Sequence, residues 1–123
     1  MEKEFVPYEL AVKLKEIGFD EECFGAYHNE NYLDLESEEY DYSYAVKAPL
    51  FQQAFRWFRE KYNMPCKIEA SQEDLKVNAY HYFYQIQTGS HIVGFGIQHN
   101  LTYEEAELAC LTKLIEIVET RTK

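Results

Sequence analysis

Proline, glycine and long apolar runs are all scarce in this sequence, which has 3 prolines and 5 glycines among 123 residues. No apolar run approaches the ~20 residues that cross a bilayer, so no transmembrane helix is expected. The first ten residues, MEKEFVPYEL, lack the apolar core of a signal peptide. These absences predict a cytoplasmic protein without a membrane partner.

Cysteine is also scarce, and the three cysteines, Cys23, Cys66 and Cys110, are far apart and form no CxxC motif. An odd number of separated cysteines argues against a disulfide framework and against a structural zinc site. Cys110 lies on the apolar stripe of a predicted helix, which favours an inert core thiol. The sequence therefore predicts a reducing compartment and no metal or cofactor.

Recognised catalytic motifs are missing, including the P-loop, GxGxxG, HExxH and GxSxG. Gly94-Phe95-Gly96 lies inside a predicted strand and has no P-loop lysine after it. His81, His91 and His99 lie in or beside the last predicted hairpin, where crossing strands could bring two of them together. Their spacing matches no metal-ligand pattern, so ordinary histidines are favoured. No catalytic residue is predicted, and the protein is not expected to be an enzyme.

What the sequence does contain is apolar and aromatic surface to bury. It is 46% hydrophobic, 28% charged and 16% aromatic, with 11 tyrosines and 8 phenylalanines. This composition is typical of a globular protein rather than a disordered one, and the length favours one domain over residues 1–123.

Three amphipathic helices are predicted. The first spans Pro7–Ile17 and is followed by Gly18, the residue type that often ends a helix in the left-handed conformation. The second spans Pro49–Tyr62, with Phe51, Phe55 and Phe58 on one face. The third spans Tyr103–Thr120 and begins with a capping box, Thr102-Tyr103-Glu104-Glu105.

The remaining pattern predicts short strands joined by hairpins. The predicted strands are Glu22–Tyr27, Tyr32–Leu35, Cys66–Ser71, Val77–Thr88 and Ile92–Gln98, and a further short strand near Tyr42–Val46 is an open alternative. Gly89-Ser90 is a two-residue hairpin signal. The predicted fold is α+β, in the order α-β-β-α-β-β-β-α. Three helices pack mainly on one face of an antiparallel sheet of about five strands.

Acidic residues outnumber basic ones, 22 to 12, which gives a formal net charge of −10. Such a charge repels phosphate backbones, so direct nucleic-acid binding is not expected. The segment Glu36–Tyr44 reads ESEEYDYSY and contains no lysine or arginine. A solvated loop is the favoured interpretation. The alternative is a partner-binding segment, with these candidate contacts: Glu36, Glu38, Glu39, Tyr40, Asp41 and Tyr42.

Basic residues cluster instead around the second helix, at Lys47, Arg56, Arg59, Lys61 and Lys67. Ion pairing with the acidic segment is the favoured interpretation. An anion site at Arg56 and Arg59 is the alternative, because arginine binds phosphate through charge-assisted hydrogen bonds.

Nearly half of the chain lies in three blocks that read EFVPYELAVKLKEIGFDEECFGAY, APLFQQAFRWFREKY and TYEEAELACLTKLIEIVE. These blocks resemble a family of short, uncharacterised proteins encoded by phages and prophages of gut bacteria. The resemblance implies a phage origin and a cytoplasmic setting in an infected or lysogenic host. The family has no assigned activity, so the resemblance implies no catalytic residues.

Three functions remain open at this point. The leading prediction is a non-enzymatic accessory protein that binds a host or phage protein. An acidic protein of this kind can inhibit a nucleic-acid-binding or defence protein by occupying its basic site. The alternative is a protein that binds or sequesters a nucleotide through Arg56 and Arg59. A weak enzyme that uses a cysteine or a histidine pair ranks last.

Overall fold

The computed structural model describes residues 2–35, 45–71, 80–95 and 101–121, and within these ranges the fold is α+β. The helices of the described ranges are α1 (Tyr8–Glu16), α2 (Phe51–Tyr62) and α3 (Tyr103–Arg121), preceded by a 3-10 turn at Glu2–Glu4. The strands are β1 (Gly25–Asn29), β2 (Tyr32–Asp34), β3 (Val46–Ala48), β4 (Cys66–Ser71), β5 (His81–Thr88) and β6 (His91–Phe95).

The prediction of one sheet of about five strands is wrong. The described strands form two separate three-stranded antiparallel sheets, with strand orders β2-β1-β3 and β4-β5-β6. The element order is α-β-β-β-α-β-β-β-α. The strand that the predicted order lacks is β3, which is only three residues long and pairs with β1 through Ala26 and Lys47. So short a strand has no readable alternation of apolar and polar residues.

The first hairpin is also displaced from its predicted position. β1 begins at Gly25, three residues later than predicted, and the turn is confined to Glu30 and Asn31. The backbone N–H of Asn31 donates to Oδ1 of Asn29 at 2.8 Å, the local bond by which asparagine stabilises a turn. The parts of the predicted strands at residues 42–44, 77–79 and 96–98 lie outside the described residues.

The chain divides into two compact units, of which the first comprises Met1–Ala54 together with Ile115–Lys123. Its buried side chains include Val6, Leu14 and Ala48. The hydroxyl of Tyr27 donates to the Val6 carbonyl at 2.7 Å, so the polar tip of this buried ring is satisfied. α1 ends as predicted, because Gly18 has a φ of 105°.

Gly25 holds the first sheet close to its neighbours. A Cβ added there would lie 3.0 Å from Cδ2 of Leu35 and 3.2 Å from Cε1 of Phe5. Both distances are shorter than ordinary carbon contacts. Only glycine therefore fits at the start of β1 without displacing one of these side chains.

The second unit comprises Phe55–Leu114. Its core contains Phe58, Met64, Ile86 and Leu111, all fully buried. β5 pairs with both β4 and β6, and the predicted turn at Gly89-Ser90 is confirmed, with a φ of 63° at Gly89. The predicted bounds of α2 and β4 agree with the structure to within two residues. The single domain expected over residues 1–123 stays a prediction.

Among the residues that the structure describes, no helix has both the length and the hydropathy needed to cross a membrane.

Candidate functional site

The acidic segment lies outside the described residues. The six candidate contacts there are Glu36, Glu38, Glu39, Tyr40, Asp41 and Tyr42. Their role in partner binding therefore stays a prediction. The described residues on the N-terminal side of this segment do, however, include exposed apolar side chains in the first compact unit.

Three large apolar side chains of the first hairpin and its flanks are exposed, and together they are here called the hairpin surface: Phe24, Tyr32 and Leu35. Phe24 is 78% exposed, the largest fraction among the exposed large apolar side chains of the described residues. Tyr32 and Leu35 are 55% and 40% exposed. Phe24 directly precedes β1, and Leu35 directly follows β2. Exposed aromatic side chains are enriched in protein-binding surfaces, so Phe24 and Tyr32 are candidate partner contacts.

Polar contacts hold the segment that carries Phe24. Nζ of Lys47 lies 3.0 Å from Oδ1 of Asp20 and donates to the Asp20 carbonyl at 3.2 Å. Nε2 of Gln53 donates to the Glu22 carbonyl at 2.8 Å. β3 and α2 thus fix the backbone on the N-terminal side of Phe24. A side chain on a fixed backbone loses less conformational entropy when it binds a partner.

The hairpin itself carries a side-chain hydrogen bond between His28 and Asp34. Nε2 of His28 lies 3.2 Å from Oδ2 of Asp34, and the His28 ring is 5.4 Å from the Tyr32 ring. These contacts orient Tyr32 at the exposed end of the hairpin. Glu22 and Glu30 are exposed nearby in the sequence, so carboxylates accompany the apolar side chains.

Three of the five basic residues around α2 interact with groups of the described chain. Lys47 pairs with Asp20, Lys67 pairs with Glu69 at 2.9 Å, and Nζ of Lys61 lies 5.1 Å from the centre of the Trp57 ring. Arg56 and Arg59 are exposed on α2. Neither lines the groove described below, so their role in anion binding stays a prediction.

The histidines of the second sheet are not brought together. His81 begins β5, whereas His91 pairs with Thr88 at the other end of that strand. His81 and Thr88 are the two ends of the 8-residue strand β5, so the two positions lie roughly 20 Å apart. The expectation that two of them could meet is therefore wrong for this pair, and His99 lies outside the described residues. In the part of the chain that is described, no three His, Cys, Asp or Glu side chains form a group that could hold a metal ion.

The second unit contains two of the three cysteines. Cys66, the first residue of β4, is half-buried, and Cys110 in α3 is fully buried. Interaction with the Cys110 thiol lowers the pKa of Cys66 against the opposing effect of burial, and the positive charge of Arg59 lowers it further. The same contact, together with burial, raises the pKa of Cys110.

Cys66 also lines a groove of about 220 Å³, together with Lys67, Gln85 and Ile92.

The prediction that Cys110 is a core thiol is confirmed, but the sequence analysis does not predict its interaction with Cys66. Since 43 residues separate the two cysteines, no local pattern could have paired them.

Fold and site together define an α+β protein with exposed apolar side chains at its first hairpin and two free thiols in its second unit. No protein-family model, curated protein or solved structure matches the chain. The resemblance of the three sequence blocks to phage and prophage proteins therefore stays a prediction.

Proposed function

We propose that this protein is a non-enzymatic accessory protein that acts by binding another protein. The proposed partner is a host or phage protein with a basic surface, such as a nucleic-acid-binding or defence protein. A phage origin follows from the resemblance of the three blocks and is part of the same proposal. The proposed setting is the cytoplasm of an infected or lysogenic bacterium.

The observation that carries the proposal is the exposure of Phe24, which is 78% exposed on a backbone held by Lys47 and Gln53. Burying a phenylalanine side chain stabilises a complex by roughly 1.5–3 kcal/mol. Aromatic side chains of this kind often dominate the binding energy of an interface. Phe24 is therefore proposed as the apolar anchor.

Charge supports the choice of a basic partner. The protein carries a net charge of −10, and four carboxylates of the acidic segment follow Leu35 within six positions. Attraction between such a segment and a basic surface raises the association rate more than it raises the final affinity. The hairpin surface would then supply the lasting contact, and the acidic segment would guide the encounter.

The test begins with a pull-down from infected cells using the full chain, followed by titration of the purified partner. We expect Phe24→Ala to weaken binding at least about tenfold through faster dissociation. Leu108→Ala is the matched control, because Leu108 is also an exposed apolar side chain, 40% exposed on α3. Equal losses in both variants would contradict a specific role for Phe24.

The same titration tests the role of the acidic segment and also distinguishes protein binding from nucleotide binding. Neutralising Glu36, Glu38, Glu39 and Asp41 to Gln or Asn should slow association at ~0.1 M salt and have little effect at ~1 M, where the Debye length is about 3 Å. ATP and ADP are titrated against the wild type in parallel. Nucleotide binding that is lost in Arg56→Ala or Arg59→Ala, without any protein partner, would replace the proposal with the alternative.

A further inference from the structure

The edge strands of the two described sheets are β2, β3, β4 and β6. An edge strand presents unpaired backbone N–H and C=O groups, and short length or charged side chains protect it from pairing with another chain. β2 and β3 have three residues each, and β4 carries the exposed Lys67–Glu69 ion pair. β6 spans the five residues His91–Phe95 and has neither form of protection.

The hairpin that contains β6 is uncharged, although the chain as a whole is strongly acidic. No Asp, Glu, Lys or Arg occurs between Lys76 and Glu104, whereas the whole chain is 28% charged and has a net charge of −10. Two copies of such a chain repel each other wherever their carboxylates approach. An edge without charged side chains is therefore a place where two copies can pair with little local repulsion.

The register of the second sheet shows which backbone groups of β6 point outward. The Gln87 N–H donates to the Pro65 carbonyl at 2.9 Å, so it points toward β4 and away from β6. Gln87 is opposite Ile92. Because hydrogen-bonded and non-hydrogen-bonded pairs alternate along an antiparallel ladder, the N–H and C=O groups of Ile92 point away from β5. Gly94 lies two residues further along β6 and has the same orientation. Among the described strands, only β5 pairs with β6, so these groups form its free edge.

The side chains at this free edge leave it accessible. Ile92 is 65% exposed. The fold of the chain itself does not require a glycine at Gly94, because its φ is not positive and an added Cβ would make ordinary contacts, 3.4 Å from the Tyr84 carbonyl oxygen and 3.6 Å from Cγ of Gln85. A glycine inside a strand weakens the strand and often marks a position that another backbone approaches closely.

We propose that two copies of this chain associate through β6, which pairs antiparallel with β6 of the second copy about a two-fold axis at Val93. In this register Ile92 of each copy is opposite Gly94 of the other, so the outward N–H and C=O groups of both residues are hydrogen-bonded. The exposed Ile92 side chain lies beside the position where Gly94 of the other copy has no side chain. The β4-β5-β6 sheets of the two copies thereby join into one continuous antiparallel sheet. A two-fold interface of this kind is self-complementary.

The association is separate from the proposed partner binding, because β6 belongs to the second compact unit and the hairpin surface to the first. Strands of five residues bury less area than a standard interface, so we expect a dissociation constant between about 1 μM and about 1 mM. Added salt should strengthen the dimer, because it screens the repulsion between two chains of net charge −10. It should slow the binding of a basic partner, so the two proposals can fail independently.

The first test is sedimentation equilibrium of the full chain over this concentration range, which we expect to show a reversible dimer. Ile92→Lys places a charge at the free edge and should weaken dimerisation at least about tenfold. Leu108→Lys is the matched control, because Leu108 is another exposed apolar side chain of the second unit and the substitution changes the net charge equally. The control should dimerise like the wild type. Circular dichroism establishes that each variant is folded.

The second test examines the register by disulfide cross-linking. In the proposed dimer the Cα atoms of Val93 in the two copies are about 4.5 Å apart, within the reach of a disulfide. Oxidation of Val93→Cys should therefore link two chains through this position, as mapped by mass spectrometry. Ile92→Cys is the matched control, because the two copies of position 92 are diagonal neighbours about 7–8 Å apart, too far for a disulfide without backbone movement.

Three results would overturn the proposal. The first is a folded wild type that stays monomeric throughout the concentration range. If such a monomer captures a protein from infected cells and Ile92→Lys does not, the edge binds a strand of another protein instead. The second is a dimer that the two lysine variants weaken equally. The third is cross-linking through Ile92→Cys but not through Val93→Cys. The comparison of the lysine variants decides the matter if Val93→Cys fails to fold.

Discussion

At the scale of single residues, the cysteines show how far the surroundings of one side chain determine its chemistry. Cys23 and Cys66 are both half-buried, yet burial raises the pKa of Cys23 while Cys110 and Arg59 lower that of Cys66. The sequence predicts correctly that Cys110 is a core residue, because its position on the helical stripe is a local property. The environment of Cys66 depends on a contact with α3, so it could not be predicted.

The raised pKa of Cys23 makes the stability of the protein depend on pH in the alkaline range. The pKa rises from 9.0 to about 11 on folding, so the folded state favours the neutral thiol. This contribution is fully present below pH 9.0 and is lost as the pH rises through about 11. Wild type should therefore lose more stability than Cys23→Ala between these two pH values.

The measurement is the urea midpoint of both proteins at the two ends of that pH range. Other groups that titrate there, such as tyrosine and lysine, are common to both proteins and cancel in the difference. An equal loss in the two proteins would show that Cys23 ionises as easily in the folded state as in the unfolded state.

At the scale of helices and strands, long periodic segments and local turn signals were predicted well. α2, β4 and the Gly89-Ser90 turn are all where the sequence places them. Short strands are predicted poorly. β3, for example, has three residues and is a strand only through its pairing with β1. The division into two sheets depends on which distant strands pair, and no local sequence pattern contains that information.

The capping box of α3 is a local prediction that is confirmed at the level of single hydrogen bonds. The N–H of Glu105 donates to Oγ1 of Thr102 at 3.1 Å, and the N–H of Thr102 donates to Oε1 of Glu105 at 2.9 Å. Thr102→Ala removes one of these bonds and should lower the free energy of unfolding by about 1 kcal/mol.

Thr112→Ala is the matched control for this cap. Thr112 is exposed in the same helix, and its hydroxyl donates to the Leu108 carbonyl at 2.8 Å. Alanine has the higher helix propensity, so this substitution should be neutral or slightly stabilising. Urea unfolding of both variants measures the two effects. A cap that contributes nothing would give the same midpoint for Thr102→Ala and Thr112→Ala.

At the scale of the whole molecule, charge is the property that the sequence determines completely. A net charge of −10 opposes folding, because a compact state brings like charges closer than an unfolded chain does. Ion pairs such as Lys47–Asp20 and Lys67–Glu69 act in the other direction. Exposed pairs of this kind contribute about 0–1 kcal/mol each, so we expect net repulsion to dominate.

Added salt should therefore stabilise the protein. Raising NaCl from ~0.01 M to ~0.1 M shortens the Debye length from about 30 Å to about 10 Å and screens the repulsion between distant carboxylates. The urea midpoint should rise over this range, and urea is the suitable denaturant because it is uncharged.

Neutralising Glu36, Glu38, Glu39 and Asp41 brings the net charge from −10 to −6 and should reduce the rise. A midpoint that falls with salt would mean that the ion pairs outweigh the repulsion. An undiminished rise in the neutralised variant would mean that these four carboxylates repel no more strongly in the folded state than in the unfolded chain.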